Sequence, residues 1–279
     1  KNIFGLDDAF CFEEGVLQTL IEDYTSEPGI RKLKELLYII IGEVNLQVIN
    51  DSSQVIFPIK ISLKNLHNKY LKDKHPIRHQ LIHTEDRVGA INCLFATETG
   101  YSGILSATSQ FVHSEKMYDL KLTGLLDEMM KESFQISFTL AYNKLSEECK
   151  TALVEKHLNS KNTGLHMHMG DGSVNKSGTS AGIAITILFY SLLSGHKIKQ
   201  NFAVTGEAAD LSGNVGEIGA LKYKFIGGIK AGVKHFIFPQ SNINDFNDFM
   251  EKYKNTEMLE GISFHPVNNI DEALELIIV

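Results

Sequence analysis

The chain has 279 residues, of which 43% are hydrophobic and 22% are charged, a composition typical of a globular protein that buries a core. Its formal net charge of -7 argues against nucleic acid as the main partner, because phosphate binding needs clustered Lys and Arg side chains. No run of about 18 apolar residues is present, so no membrane-spanning helix is expected. Cys11, Cys93 and Cys149 are far apart and lack metal-binding spacing, which favours an intracellular, reducing compartment.

The N-terminal part of the chain has helical periodicity from Glu13 to Val48. A short strand is expected near Val55–Ile61, followed by a short helix over Leu63–Leu71. A polar connector containing His and Pro comes next and marks a boundary. We therefore predict a small, mainly helical domain over residues 1–82 and a second domain over residues 83–279.

The second part alternates strands with helices. The segment "VGAINCLFATETGYSGILSATSQFV" predicts strands with glycine turns, and "GLLDEMMKESFQISFTLAYNKL" predicts a long amphipathic helix. "GLHMHM" predicts a strand, and the apolar residues from Ser180 to Leu193 predict a buried helix. Strand, helix and strand follow in "NFAVTGE", "ALKYKFIGGIKAGV" and "HFIFP", and two short helices end the chain. This alternation predicts an α/β domain.

The stretch "GDGSVNKSGTSAG", residues 170–182, has two competing interpretations. Its first eight residues come close to the phosphate-binding pattern G-x-x-x-x-G-K-[ST], but Asn175 stands where that pattern has glycine. Two further glycines follow Lys176, and they would disfavour the first helical turn that a phosphate-binding loop requires. The nucleotide interpretation is therefore disfavoured.

The second interpretation makes Ser180 a nucleophile, because "GTSAG" fits the G-x-S-x-G pattern. The start of the following helix offers backbone N–H groups to a developing oxyanion. The alternative is that Ser180 is a helix N-cap. His166 and His168 alternate on one strand and could bind a metal, but no third ligand is evident, so no metal site is predicted.

A nucleophilic serine needs a base, and lysine can serve when burial lowers its pKa. Lys222 and Lys224 lie about 200° apart on one predicted helix, so only one can face the serine. The apolar stripe of that helix lies nearer Lys222, so periodicity alone weakly favours Lys222. Both lysines could instead be solvated.

Several ordered motifs resemble the Lon family of ATP-dependent proteases over nearly the whole chain. They are "EEGVLQTLIEDYTSEPGIRKLKELL", "EDRVGAINCLFATETG", "LTGLLDEMMKES", "LHMHM", "NKSGTSAGIAI", "AVTGEAADLSGNVGEIGALKYK" and "GIKAGVKHFIFP". The resemblance implies a fold of mixed α+β and α/β class: a small helical AAA+ lid subdomain, followed by an α/β Lon-type protease domain.

The resemblance implies a Ser–Lys dyad in which the nucleophile is Ser180 and the base is Lys224, against the periodicity that favours Lys222. The family threonine that helps place the lysine amine corresponds to Thr205. The N–H of Ala181 is expected to stabilise the oxyanion. The implied activity is serine-type endopeptidase action on unfolded or damaged proteins.

Further expectations come from the same resemblance. Glu98 corresponds to an acidic residue near the family's site, and Arg31 corresponds to the sensor arginine that faces ATP. ATP and Mg²⁺ are expected in the full-length protein, bound by an upstream ATPase module, with no cofactor for peptide cleavage itself. A homo-oligomer, a hexameric ring, is expected, with no membrane partner.

The chain departs from the family pattern around the nucleophile. Ser177 and Thr179 stand where the family has an acid and a proline, and one extra residue lies between Glu207 and Gly213. These departures support an alternative in which the domain is a catalytically silent, Lon-like oligomeric scaffold. A third hypothesis, a serine hydrolase that uses histidine as the base, lacks a supporting motif.

Overall fold

The structure is a computed structural model that describes residues 10–25, 29–50, 56–77, 80–97, 101–170 and 178–279. It divides into two compact units. The first unit comprises Lys1–Arg78 with Thr97–Tyr101, and the second comprises His79–Ala96 with Ser102–Val279.

The first unit is mainly helical, as the periodicity predicts. Its core forms where α2 turns Leu36, Ile40 and Val44 inward at intervals of four residues. Strand β1 pairs in parallel with β2. Its described elements are β1 (Phe10–Phe12), α1 (Val16–Thr19) continuing as a π-helical turn (Leu20–Thr25), α2 (Arg31–Asn50), β2 (Ile59–Ile61) and α3 (Leu63–Asn65) continuing as a π-helical turn (Leu66–Tyr70).

The second unit is built on a mixed sheet. Among the described residues, its strands run in the order β11-β10-β7-β3-β4-β6-β5, while β8 and β9 form a separate antiparallel pair. Its elements are β3 (Ala90–Ala96), β4 (Ser102–Val112), β5 (Leu120–Thr123), α4 (Glu128–Asn143), α5 (Glu147–Ser160), β6 (Gly164–Met169), α6 (Gly182–Ser194), β7 (Phe202–Val204), β8 (Glu207–Ala208), β9 (Val215–Gly216), α7 (Leu221–Lys230), β10 (His235–Pro239), α8 (Ile243–Tyr253), β11 (Ser263–Val267) and α9 (Ile270–Ile277).

Helices cover both faces of this sheet. Cys93 and Ile237 belong to a core with side chains of α4, α6 and α9, whereas their neighbours Leu94 and Phe236 belong to a core with α7 and α8. Side chains of successive strand residues therefore pack into cores on opposite faces of the sheet, as the pleat requires.

Phe225 of α7 lies at the centre of the second core. Its ring centroid is 5.3 Å from that of Phe236, 5.2 Å from that of Phe249 and 4.8 Å from that of Phe264. Edge-to-face and tilted ring pairs of this kind add to the stabilisation that burial alone provides. Helix α7 is thus fixed on the sheet by one of its own aromatic side chains.

The α/β prediction is confirmed, including the buried helix α6, which ends at Gly195 with a φ of 80°. Helix α5 and strands β5 and β11 were not expected from the pattern. Helix α5 buries Leu153 alone among its residues, so its amphipathic signal is weak. Within the part of the chain that the structure describes, every helix is too short or too polar to span a bilayer.

Two histidines stack on Phe202 at the β11 side of the sheet. The Phe202 centroid is 4.5 Å from that of His235 and 5.7 Å from that of His265, and His235 Nδ1 lies 3.3 Å from His265 Nε2. Burial lowers the pKa of both histidines; the charge of Lys199 lowers the pKa of His235 further, and His235 does the same for His265.

Because the folded-state pKa lies below the unfolded value, protonation favours unfolding. We expect stability to be retained above about pH 6.5 and to fall as pH drops below it. Thermal unfolding at pH 7.5 and pH 5 measures the loss. His265→Phe keeps an aromatic ring but removes a titrating group, so its loss should be smaller. An equal loss in the variant would contradict this account.

Candidate active site

Ser180 lies in the turn directly before α6, where it is half-buried. Its carbonyl oxygen accepts hydrogen bonds from Thr205 Oγ1 at 3.1 Å and from the Gly206 N–H at 2.8 Å. The N–H of Gly182 donates to the carbonyl of Thr179 at 3.0 Å. The turn that carries Ser180 is therefore fixed to the segment that follows β7.

Gly182 permits a close approach that no other residue would allow. A Cβ at Gly182 would lie 2.6 Å from the backbone nitrogen of Ala208 in β8. Its carbonyl oxygen accepts the hydroxyl groups of Ser137 and Thr186, each at 2.9 Å. Helix α6 thus begins at a fixed point two residues after Ser180, and nothing in the sequence pattern singles out Ser137 for this contact.

Lys224 of α7 is the buried lysine of the pair. The residue is 4% exposed, and its Nζ donates a hydrogen bond to Thr205 Oγ1 at 3.0 Å. Burial lowers the pKa of the Lys224 ammonium from 10.5 to about 8. Roughly a tenth of Lys224 is therefore neutral at pH 7, and this neutral form is the one that a general base requires.

Lys222 occupies a different environment. It is only partly buried, and its Nζ lies 5.6 Å from the ring centroid of Tyr223 and 5.9 Å from that of Tyr253. The weak periodicity argument for Lys222 is therefore wrong: the lysine turned into the protein is Lys224.

Thr205 connects the amine to the serine segment. Its hydroxyl accepts a hydrogen from Lys224 and donates its own hydrogen to the carbonyl of Ser180. A neutral lysine has two hydrogens and one lone pair on its nitrogen. When one hydrogen is engaged by Thr205, the direction of the lone pair is constrained. The arrangement can therefore accept a proton from a nearby hydroxyl.

Ala181 separates Ser180 from the first residue of α6 and is buried. Backbone N–H groups at a helix start lack acceptors within the helix, and they lie at the positive end of its dipole. This position fits the predicted oxyanion donor.

Of the remaining predicted residues, the structure describes Arg31 but not Glu98. Arg31 lies in the first unit, at the start of α2, where its exposed side chain donates from Nε to Glu35 Oε1 at 3.2 Å. Glu98 and Ser177 lie outside the described residues.

His166 and His168 lie on β6. Nε2 of His166 lies 3.2 Å from Thr123 Oγ1, and Nδ1 of His168 lies 2.9 Å from the same oxygen. The described residues contain no group of three or more His, Cys, Asp or Glu side chains that could hold a metal ion. The two histidines are accounted for by their contacts with a neighbouring strand.

Comparison with known proteins shows which protein family this chain is similar to. A family model described as the Lon protease (S16) C-terminal proteolytic domain matches residues 60–279. The chain is 32% identical over 276 residues, 98% of its length, to a protein named Lon protease from Borrelia duttonii (strain Ly). It is 31% identical over 271 residues, 97% of its length, to a protein of that name from Endomicrobium trichonymphae. These matches cover 32% and 31% of the two relatives, so the chain spans about a third of their length.

Proposed function

Since the chain belongs to the Lon protease family, we propose that it is a serine endopeptidase that hydrolyses peptide bonds through Ser180 and Lys224. The observation that carries the proposal is the buried Lys224 amine, hydrogen-bonded to the Thr205 hydroxyl that in turn contacts the Ser180 carbonyl. Burial lowers the pKa of any lysine, so the feature that favours a catalytic role is the polar link from Lys224 through Thr205 to the serine turn.

In the proposed reaction, neutral Lys224 takes the proton from Ser180 Oγ as that oxygen attacks the peptide carbonyl carbon. The carbonyl oxygen becomes negatively charged and is stabilised by the N–H of Ala181 at the start of α6. The C–N bond then breaks, and the Lys224 ammonium returns the proton to the leaving amine. Water, deprotonated by Lys224, hydrolyses the acyl-enzyme ester and restores the Ser180 hydroxyl.

The pH dependence of hydrolysis tests this proposal. With a Lys224 pKa of about 8, roughly a tenth of the lysine is neutral at pH 7, half at pH 8 and nine-tenths at pH 9. We therefore expect kcat/KM for a fluorogenic peptide to rise about fivefold from pH 7 to pH 8 and to level off above pH 9. A flat profile between pH 6 and pH 9 would count against a lysine base. An inert wild type would favour the catalytically silent scaffold.

We propose unfolded or damaged proteins as the substrates and a homo-oligomeric ring, a hexamer, as the working form. We place a helical AAA+ lid subdomain in residues 1–82 and the protease domain in residues 83–279. The helical character of the first unit and the family match over residues 60–279 support this division.

ATP and Mg²⁺ would act through an ATPase module in sequence beyond this chain, with Arg31 facing the nucleotide. The length of the relatives, about three times that of the chain, supports this proposal. The exposure of Arg31 is compatible with such a contact.

The free thiols of Cys11, Cys93 and Cys149 favour an intracellular, reducing compartment.

A further inference from the structure

Helix α7, which carries Lys224, is preceded by an alanine whose backbone conformation is unfavourable for any residue other than glycine. Ala220 precedes the helix with a φ of 60° and a ψ of 30°, and no side chain caps the first turn. Left-handed backbone is unfavourable for a residue that has a Cβ atom. The N–H groups of Tyr223 and Lys224 both donate to the Ala220 carbonyl at 3.1 Å. The first turn thus depends on Ala220 being held in place from outside the helix.

Asn242 supplies a contact of that kind. It is fully buried, at the end of the 3₁₀ turn Gln240–Asn242 between β10 and α8. Its Oδ1 accepts from the Ile218 N–H at 3.0 Å, and its Nδ2 donates to the Ile218 carbonyl at 2.8 Å. One side-chain amide therefore engages both backbone polar groups of Ile218, two residues before Ala220.

Asp245 fixes which way the Asn242 amide faces. Its Oδ2 accepts the second Nδ2 hydrogen of Asn242 at 2.7 Å. A carboxylate can only accept, so the amide nitrogen must face Asp245, and Oδ1 is left to face the Ile218 N–H. The three hydrogen bonds use both donors of the buried amide and one of its acceptor positions.

We propose that Asn242 is a positioning residue for Lys224: its clamp on Ile218 holds the first turn of α7 so that the amine stays on Thr205, away from water. A role for Asn242 in catalysis rests on the proposed function, in which Lys224 is the base. Asn242 does not touch the reacting atoms and acts through the helix that carries the base.

The groups around α7 determine how loosening its first turn would change the Lys224 pKa. Burial is the cause of the lowered Lys224 pKa, and its polar partner is the neutral Thr205 hydroxyl. Lys222 is turned towards tyrosine rings, and Asp245 of α8 contacts Asn242. Loosening the first turn admits water to the Lys224 amine, which raises its pKa towards the ordinary value.

The test measures the Lys224 pKa directly, by NMR titration of isotope-labelled lysine side chains, in the wild type and in Asn242→Ala. We expect a rise of about one pH unit in the variant, which corresponds to about tenfold less neutral lysine at pH 7. The pH profile of kcat/KM should shift upward by the same amount, with kcat at pH 7 reduced and KM little changed. Asn92→Ala is the matched control, because Asn92 is a buried amide that bonds the carbonyls of Gln200 and Phe202 instead.

Asp245→Ala tests the same clamp from an exposed position, which covers the case in which Asn242→Ala does not fold. It should raise the Lys224 pKa by a smaller amount, whereas Asp245→Asn, which keeps an acceptor oxygen, should behave as the wild type. Both variants remove the same charge, so a difference between them reflects the hydrogen bond.

An unchanged Lys224 pKa in Asn242→Ala, with a loss of thermal stability like that of Asn92→Ala, would overturn the proposal and leave Asn242 a structural residue. A raised pKa in a protein whose wild type cleaves no peptide would support the clamp and refute the proposed function instead.

Discussion

Replacing Ser180 by alanine is expected to lower kcat/KM for peptide hydrolysis by at least about 10⁴-fold, because no acyl-enzyme ester can form without the attacking oxygen. The measurement is steady-state hydrolysis of a fluorogenic peptide at pH 9, where Lys224 is mostly neutral. The substitution should change the free energy of unfolding by no more than about 0.5 kcal/mol, because Ser180 is half-buried and the backbone carbonyl that anchors it to Thr205 and Gly206 is kept.

Ser194→Ala provides the matched control at the other end of α6. Its hydroxyl donates to the Tyr190 carbonyl at 2.7 Å within the helix. The same change of residue type is therefore made without touching the proposed dyad, and activity should be retained. Activity of Ser180→Ala within tenfold of the wild type would show that another group is the nucleophile.

Replacing Lys224 by methionine is expected to lower kcat/KM by about 10³-fold or more and also to stabilise the protein. General bases contribute about 10²–10⁴-fold, and methionine has no basic atom. Burial lowers the folded-state pKa of Lys224 from 10.5 to about 8, so stability falls as pH drops from about 10.5 to about 8 and the full cost persists at lower pH. An apolar side chain of similar length avoids that cost. A residue kept for chemistry at the expense of stability is expected to show this opposition.

The measurements are peptide hydrolysis at pH 9 and thermal unfolding at pH 6.5. Lys222→Met is the matched control on the same helix and should retain most of the activity, because its ammonium lies over tyrosine rings rather than on Thr205. If Lys222→Met were the inactive variant, the assignment of the base would be reversed. If Lys224→Met were less stable than the wild type at pH 6.5, the desolvation argument would be wrong.

The two lysines also show where periodicity misleads. Helix α7 buries Leu221, Phe225 and Lys224, but its buried face also includes Gly227 and Gly228. A Cβ at Gly228 would lie 2.5 Å from Phe236 Cε1, so close packing rather than apolar side chains marks this side. Hydropathy gives no weight to glycine, and the apparent stripe therefore shifted towards Lys222. The family resemblance supplied Lys224, which the burial and the Thr205 contact now support independently.

Other parts of the arrangement had no local signal. The strands and helices with strong patterns, such as β6 and α6, could be predicted because their apolar residues follow the period of the element. Asn242 lies 24 residues from Ile218 along the chain, and its segment "PQSN" is typical of a turn. A buried amide that replaces backbone partners becomes visible only when the fold brings the two segments together. The pentapeptide around Ser180 likewise fits a helix cap as well as a nucleophile, and the contacts from Lys224 to Thr205 and from Thr205 to the Ser180 carbonyl are what favour the nucleophile.

The position of Phe225 directly after Lys224 has a consequence for how this protein loses activity. Phe225 packs against Phe236, Phe238, Phe249 and Phe264, so the first turn of α7 cannot swing outward unless these rings separate. While Asn242 holds Ile218, outward displacement of the whole first turn and opening of the aromatic core are therefore the same event. Heat or denaturant should produce no inactive but otherwise folded form of this domain through α7, and remaining activity should report the fraction of molecules still folded.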